Sequence, residues 1–404
     1  MNTTAVLKEK LKEIHDALKE SYNNKEHIGV LAGMSGISVF HFYYARFVED
    51  EQIADVGVDV ISETIKRMNE GYSFPTFCAG IAGAGWVLEL LNQEEFIDID
   101  SDELLSELDN FLFESMEADI KNENFDFLHG AIGYGYYFLK RYENTKSQSL
   151  KEKYTKYLLD LIQALKNSAQ KDDKGVFWTY ELRKKENLRG ANLSLSHGMA
   201  SVINFLSRLY THEDFQEITK DLLIGATDFI INCKYSDENQ SSLFPSWIYP
   251  EMEKYTNSRL AWCYGDLGIG VSLWKVGKAM ENKEYQELAI DVLKHSAKRR
   301  DAEEAKIIDT GLCHGMFGIV SMFHHMYIET KELIFKETAD FWMKEALKRD
   351  TYKDGQAGYK QWRGDKEEWQ NETNLLEGIA GIGLSMISYL TVSENQWNEC
   401  LMIS

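Results

Sequence analysis

Proline is nearly absent: Pro75, Pro245 and Pro250 are the only three in 404 residues. So little proline disfavours a many-turned β fold and favours long helices. Cysteine is sparse as well. Cys78, Cys233, Cys263, Cys313 and Cys400 are scattered and odd in number. That argues against a disulfide framework and for reduced thiols, some of them available to a metal. No apolar run approaches the length of a membrane span. The first twenty residues carry charges throughout and lack the apolar core of a signal peptide. Positive charge is in deficit, with 44 Lys and Arg against 65 Asp and Glu and a formal net charge of −21. Nucleic acid is therefore not an expected partner, because phosphate binding needs clustered cations. An acidic surface serves solubility and attracts basic peptides.

Short glycine phrases recur along the chain. GMSG begins at Gly33, GIAG at Gly80, GAIG at Gly130, GMAS at Gly198, GDLG at Gly265, GMFG at Gly315 and GIAG again at Gly378. One such phrase means nothing; seven, each opening an apolar helical pattern, are an internal repeat. After Gly198, the residues Val202, Phe205, Leu206 and Leu209 fall on one helical face, as Ile319, Met322, Phe323 and Met326 do after Gly315. A second amphipathic helix fills each unit, with stripes such as Phe215, Ile218, Leu222 and Phe229, or Tyr285, Leu288 and Val292. Each repeat is thus a helical hairpin, which cannot bury its own faces and must stack on its neighbours. Periodicity alone does not decide between an open solenoid and a closed ring. Residues 1–32 read as an N-terminal helix leading into the first repeat. The segments 174–190 and 234–258 read as β-prone or loop insertions, and YKDGQAGYKQW, starting at Tyr352, reads as a loop.

Three repeats place unusual side chains beside the glycine: His197 in SLSHGMAS, Cys263 in RLAWCYGDLG, and Cys313 with His314 in GLCHGMFG. Equivalent repeats would bring these to one level of an inner wall. A lone buried cysteine is usually a small hydrophobe. A shared register in adjacent repeats is a stronger signal. Two thiolates and an imidazole suit zinc, and three protein ligands leave a fourth position open, the catalytic pattern.

WCYG followed one repeat later by CHGxxG, with an upstream SHG and seven GxxG-type phrases, resembles the lanthionine synthetase C-like family over Gly33 to Gly381. The resemblance implies an all-α fold, an α/α toroid (α,α-barrel) of seven inner and seven outer helices, in one domain over residues 1–404. It implies a Zn2+ cofactor on Cys263, Cys313 and His314. His197, Asp126 in DFLHG and Arg259 in RLAWC match the family's active-site histidine, aspartate and arginine. Ser201 departs from glycine in the fourth repeat, and Asp266 and Leu267 follow WCYG where the family often has proline nearby. His129 reads as a pocket-lining or structural residue with a catalytic role as the lesser alternative, Tyr264, beside Cys263, as a supporting residue of the ligand or a packing residue, Cys233 and Cys400 as inert, Cys78 as matching no ligand, and Glu377 as a helix N-terminal residue.

The reaction implied is addition of cysteine thiols to dehydroalanine or dehydrobutyrine in a precursor peptide, forming lanthionine or methyllanthionine thioethers. The implied partners are a dehydrated precursor, a dehydratase and a membrane transporter complex, with a cytoplasmic location and membrane association only through partners. Two alternatives stand beside it: addition of another thiol such as glutathione to dehydrated residues, and a non-enzymatic peptide scaffold with structural zinc. The repeats show neither the carboxylate pairs of a toroid glycosidase nor the aspartate-rich magnesium motifs of a terpene cyclase.

Overall fold

The computed structural model describes residues 3–22, 25–183, 186–237, 239–250, 252, 255–364, 366–391 and 395–404. Of the expected insertions, residues 184–185, 238, 251 and 253–254 lie outside the described residues. After α1 (Thr3–Leu18) come α2 (Ser35–Val48) packed with α3 (Gln52–Asn69), then, in chain order, α4 (Ile81–Gln93), α5 (Ser101–Leu105) and α6 (Asp109–Lys121). There follow α7 (Ala131–Asn144) with α8 (Gln148–Ser168), α9 (Met199–Tyr210) with α10 (Glu213–Asn232), α11 (Asp266–Ala279) with α12 (Lys283–Ser296), and α13 (Met316–Thr330) with α14 (Leu333–Leu347). The seventh repeat supplies α15 (Ile379–Leu390), followed by a 3-10 helix over Gln396–Leu401. Two compact units divide the chain, one of residues 1–101 and 307–402, the other of residues 102–306.

The repeat glycines set the helix starts. Gly80, Gly130, Gly198, Gly265, Gly315 and Gly378 each stand immediately before a helix. The residue six positions before the glycine turns its carbonyl onto the first helical amide: Ile81 N–H donates to Phe74, Ala131 to Asn124, Met316 to Asp309 and Ile379 to Glu372. That closes a tight loop and satisfies an amide that the helix itself cannot. The second glycines Gly36, Gly83, Gly268, Gly318 and Gly381 each lie against a loop carbonyl. A Cβ on Gly381 would sit 1.9 Å from the Leu375 carbonyl oxygen, so backbone would have to move. Gly381→Ala is expected to cost about 1–3 kcal/mol through this overpacking. A lowered denaturation midpoint at unchanged zinc content would show it, and an unchanged midpoint would refute it.

Within the first unit, the loops also bond across repeats. Leu31 and Ala32 N–H donate to the Cys78 carbonyl, and Leu312 and Cys313 N–H to that of Leu376. Leu376 N–H in turn donates to Leu31 at 2.9 Å, and α15 packs on α2. The seventh repeat therefore neighbours the first, which periodicity left open. Below this ladder the helices of both chain ends share a core that includes Leu7, Leu11, Ile14, Phe40, Phe317, Trp342 and Leu384.

In the second unit, α7, α9 and α11 are buried on almost every side. Val202, Phe205, Leu206 and Leu209 are all fully buried, as expected of an inner helix. The outer stripes are shifted slightly from the expectation. Ile218 is half-buried, and Thr219 takes the inner place with its hydroxyl donating to the Phe215 carbonyl. Tyr285 and Leu288 are half-buried while Ala289 and Leu293 point inward, because the Tyr285 hydroxyl reaches out to Asp228 at 3.2 Å.

Strands occupy the insertions. β1 (Gln170–Lys171) pairs with β2 (Val176–Phe177). β3 (Tyr180–Arg183), β4 (Leu188–Asn192) and β5 (Trp247–Ile248) form a three-stranded antiparallel sheet, which joins the two insertions. In the first unit, β6 (Gln361–Arg363) pairs with β7 (Glu368–Gln370). The loop expected from Tyr352 thus ends in a hairpin, pinned by the Trp362–Trp369 cross-strand pair.

Candidate active site and metal group

His197 stands directly before Gly198, in the loop between β4 and α9. The loop is held by its own side chains: Asn192 Oδ1 accepts from Ser194 N–H, and Ser194 Oγ accepts from His197 N–H. The imidazole Nδ1 lies 2.6 Å from Asp126 Oδ2. The other Asp126 oxygen accepts the His129 amide at 2.7 Å, so the carboxylate is aimed by its own turn. Burial lowers the affinity of His197 for a proton, but the bond to Asp126 and its charge outweigh that, and the pKa is raised. Nδ1 is taken, which leaves Nε2 for chemistry.

A cavity of about 380 Å³ adjoins this pair, lined by Asp126, His197, Tyr180, Asn192, Trp247 and Tyr264 among others. The Tyr264 hydroxyl lies 3.4 Å from Asn192 Nδ2. Arg259 lines a second cavity of about 400 Å³, which shares Trp247 and Tyr264 with the first. No hydrogen bond joins Arg259 to His197 among the described residues.

Asp126→Asn keeps the imidazole but removes the charge that raises its pKa. The expected result is a kcat lower by about 10²-fold and a histidine limb of the pH–rate profile displaced to lower pH. A profile that does not move would show that Asp126 only fills space.

Cys313 and His314 stand just before α13 in the first unit, and Cys263 just before α11 in the second, the two cysteines each two residues ahead of their repeat glycine. Two thiolates and an imidazole are the donor types that tetrahedral zinc takes, at bonds of about 2.0–2.3 Å. Cys263 is buried, while Cys313 and His314 are half-buried. His314 Nε2 lies 3.2 Å from Asp309 Oδ2, an arrangement that orients the ring. Asp309 is itself buried and receives the amides of Gly311 and Trp362. Sequence reasoning missed Asp309. The available signal was register, since it stands six residues before its repeat glycine, as Arg259 does.

The remaining marked residues have structural places. The His129 ring stacks 6.4 Å from that of His197. The Cys78 carbonyl receives the first-repeat amides. Burial pushes the Cys233 thiol up to about 12 and the Cys400 thiol well above its ordinary range, which keeps both protonated. Glu377 pairs with Arg363. Ser201 fits its glycine register by turning its hydroxyl back to the Gly198 carbonyl at 2.7 Å. Asp266 is fully buried at the start of α11 and accepts the Leu243 and Phe244 amides. It thereby ties down the segment that leads to Trp247.

The architecture matches that of nisin cyclase, an α/α toroid, with a TM-score of 0.72 at 18% identity over 98% of this chain and 96% of that one. Residues 26–402 match the family described as lanthionine synthetase C-like protein. The chain belongs to that family. A sugar epimerase from a ruminal bacterium and the cellobiose 2-epimerase from Bacillus thermoamylovorans B4167 match at TM-scores of 0.48, with 8% and 11% identity, each over 96% of this chain and 99% of theirs. No helix among the described residues is long and apolar enough to cross a membrane.

Proposed function

We propose that this protein is a zinc-dependent peptide cyclase that adds cysteine thiols to dehydroalanine or dehydrobutyrine, forming lanthionine or methyllanthionine rings. The observation that carries this reading is the His197–Asp126 pair in a family member whose sequence also carries Cys263, Cys313 and His314 at the repeat glycines.

The donor set suits zinc, which, when bound there, lowers the pKa of a thiol that reaches its open position. An ordinary thiol has a pKa of about 8.5 and is mostly protonated at neutral pH. In the addition an S–C bond forms at the alkene β-carbon, the π bond breaks, and one proton passes from sulfur to the α-carbon. No atom is lost and no oxidant is needed. His197 handles that proton at Nε2, taking it from the thiol side and returning it to the enolate. Asp126 holds the ring's orientation and supports its charge. Arg259 supplies fixed positive charge to the negative charge that develops on the enolate. Tyr264 and Trp247 wall the cavity from which water must be excluded. The substrate needs dehydrated serine or threonine, so a dehydratase must act before this enzyme.

The test is mass spectrometry of a dehydrated, cysteine-containing precursor with and without the protein, with thiol trapping to count unreacted cysteines. Cyclisation leaves the mass unchanged and removes trappable thiols. Glutathione in the same reaction separates the alternatives, because its addition raises the mass. If thiol counts stay at the uncatalysed level with zinc-loaded protein, the cyclase reading fails.

A further inference from the structure

The cavity beside Arg259 carries more positive charge than the addition reaction uses. Its lining includes Arg183, Arg259 and Lys306 and, among the described residues, no carboxylate. The chain as a whole carries 65 acidic residues against 44 basic ones, so this lining runs against the protein's overall charge. Three cations around one space repel one another unless an anion joins them.

The walls of this cavity are built rather than draped. Arg299, 3% exposed, donates from Nη2 to the carbonyls of Ser258 and Glu304 at 2.9 and 3.2 Å, holding the segment that carries Arg259. The buried Asp266 holds the segment that carries Trp247. Lys306 uses one of its donors on the Asn257 carbonyl. Arg183 lies over the Trp247 ring at 5.6 Å and pairs with Glu186 on its exposed side. That exposed pair is weakly held.

Trp247 and Tyr264 line both this cavity and the one at His197. Tyr264 directly follows Cys263. A peptide reacting at His197 and continuing past these two rings reaches the three cations. We propose that the cavity of Arg183, Arg259 and Lys306 is a subsite for a carboxylate of the substrate peptide, an acidic side chain or the C-terminus, close to the reacting residues. The inference rests on the peptide reading above and adds to it the charge of the preferred substrate.

The probes are fluorescein-labelled ten-residue peptides with one dehydroalanine, a serine in place of the reacting cysteine, and Asp, Asn or Lys two residues beyond it. Each is made with a free and an amidated C-terminus. Fluorescence polarisation with the zinc-loaded protein should show about tenfold tighter binding of the Asp or free-acid forms. Amidation abolishes the preference if the terminus is the ligand, and Asp→Asn does so if the side chain is. The double variant Arg183→Glu/Lys306→Glu reverses the charge of two exposed subsite residues and leaves His197, Asp126 and Arg259 in place. It should reverse the preference toward Lys and, with cysteine-containing peptides, raise KM for the acidic substrate at unchanged kcat. Equal affinity for all charges, or no binding at all, overturns the subsite. Charge-selective binding without any cyclisation sinks the cyclase reading and leaves the subsite standing. Cyclisation that is indifferent to peptide charge does the reverse.

Discussion

Cys263→Ala and Cys313→Ala proteins are expected to retain almost no zinc and to cyclise at least about 10³-fold more slowly. The estimate has two parts. At pH 7 a thiol of pKa about 8.5 is only a few per cent thiolate, so lost activation costs about 30-fold. Lost positioning of the reacting sulfur costs roughly a further 10²-fold. Each variant removes one of two thiolates from a three-donor set, and the remaining pair holds zinc poorly. The helical core should persist, because neither position contributes more than one small side chain to it. Elemental analysis and circular dichroism check the two halves separately. Cobalt substitution adds a spectroscopic check, since sulfur-to-metal charge transfer in the wild-type protein should weaken with loss of either cysteine. Full zinc occupancy in both variants would overturn the ligand assignment.

His197→Ala should lose about 10²–10⁴-fold in kcat while keeping its zinc and its fold. His197 touches Asp126 and borders the cavity, and it is not one of the three proposed zinc ligands. The expected signature is therefore full metal content with lost turnover, the opposite pairing of effects to those of the cysteine variants. Asp126→Asn should lie between wild type and His197→Ala. If His197→Ala releases the metal, His197 is a ligand and the proposed roles are exchanged.

The repeat was legible because it is local. Seven glycine phrases mark seven loop-to-helix junctions, and a glycine is needed wherever a loop carbonyl presses on the first helical turn, as at Gly381. The register of His197, Cys263, Cys313 and His314 followed from the same phrases. Asp309 was not found, because an aspartate before a helix is commonplace and its value depends on the imidazole that it faces. The β6–β7 hairpin was missed for a related reason. Its strands are three residues each, too short to show alternation, and their pairing is fixed across the turn by Trp362 and Trp369.

By itself the sequence determined the helical hairpin, its sevenfold recurrence and the residue types available to a metal, since each depends on spacing along the chain. Tertiary structure alone decided that the seventh repeat meets the first through Leu376 and Leu31. It also decided that two distant insertions build one sheet, and that Asp126, from a loop 71 residues away, aims His197. Those contacts join segments that share no local pattern, and they form only when stacked helices carry the chain ends and loops to the same place.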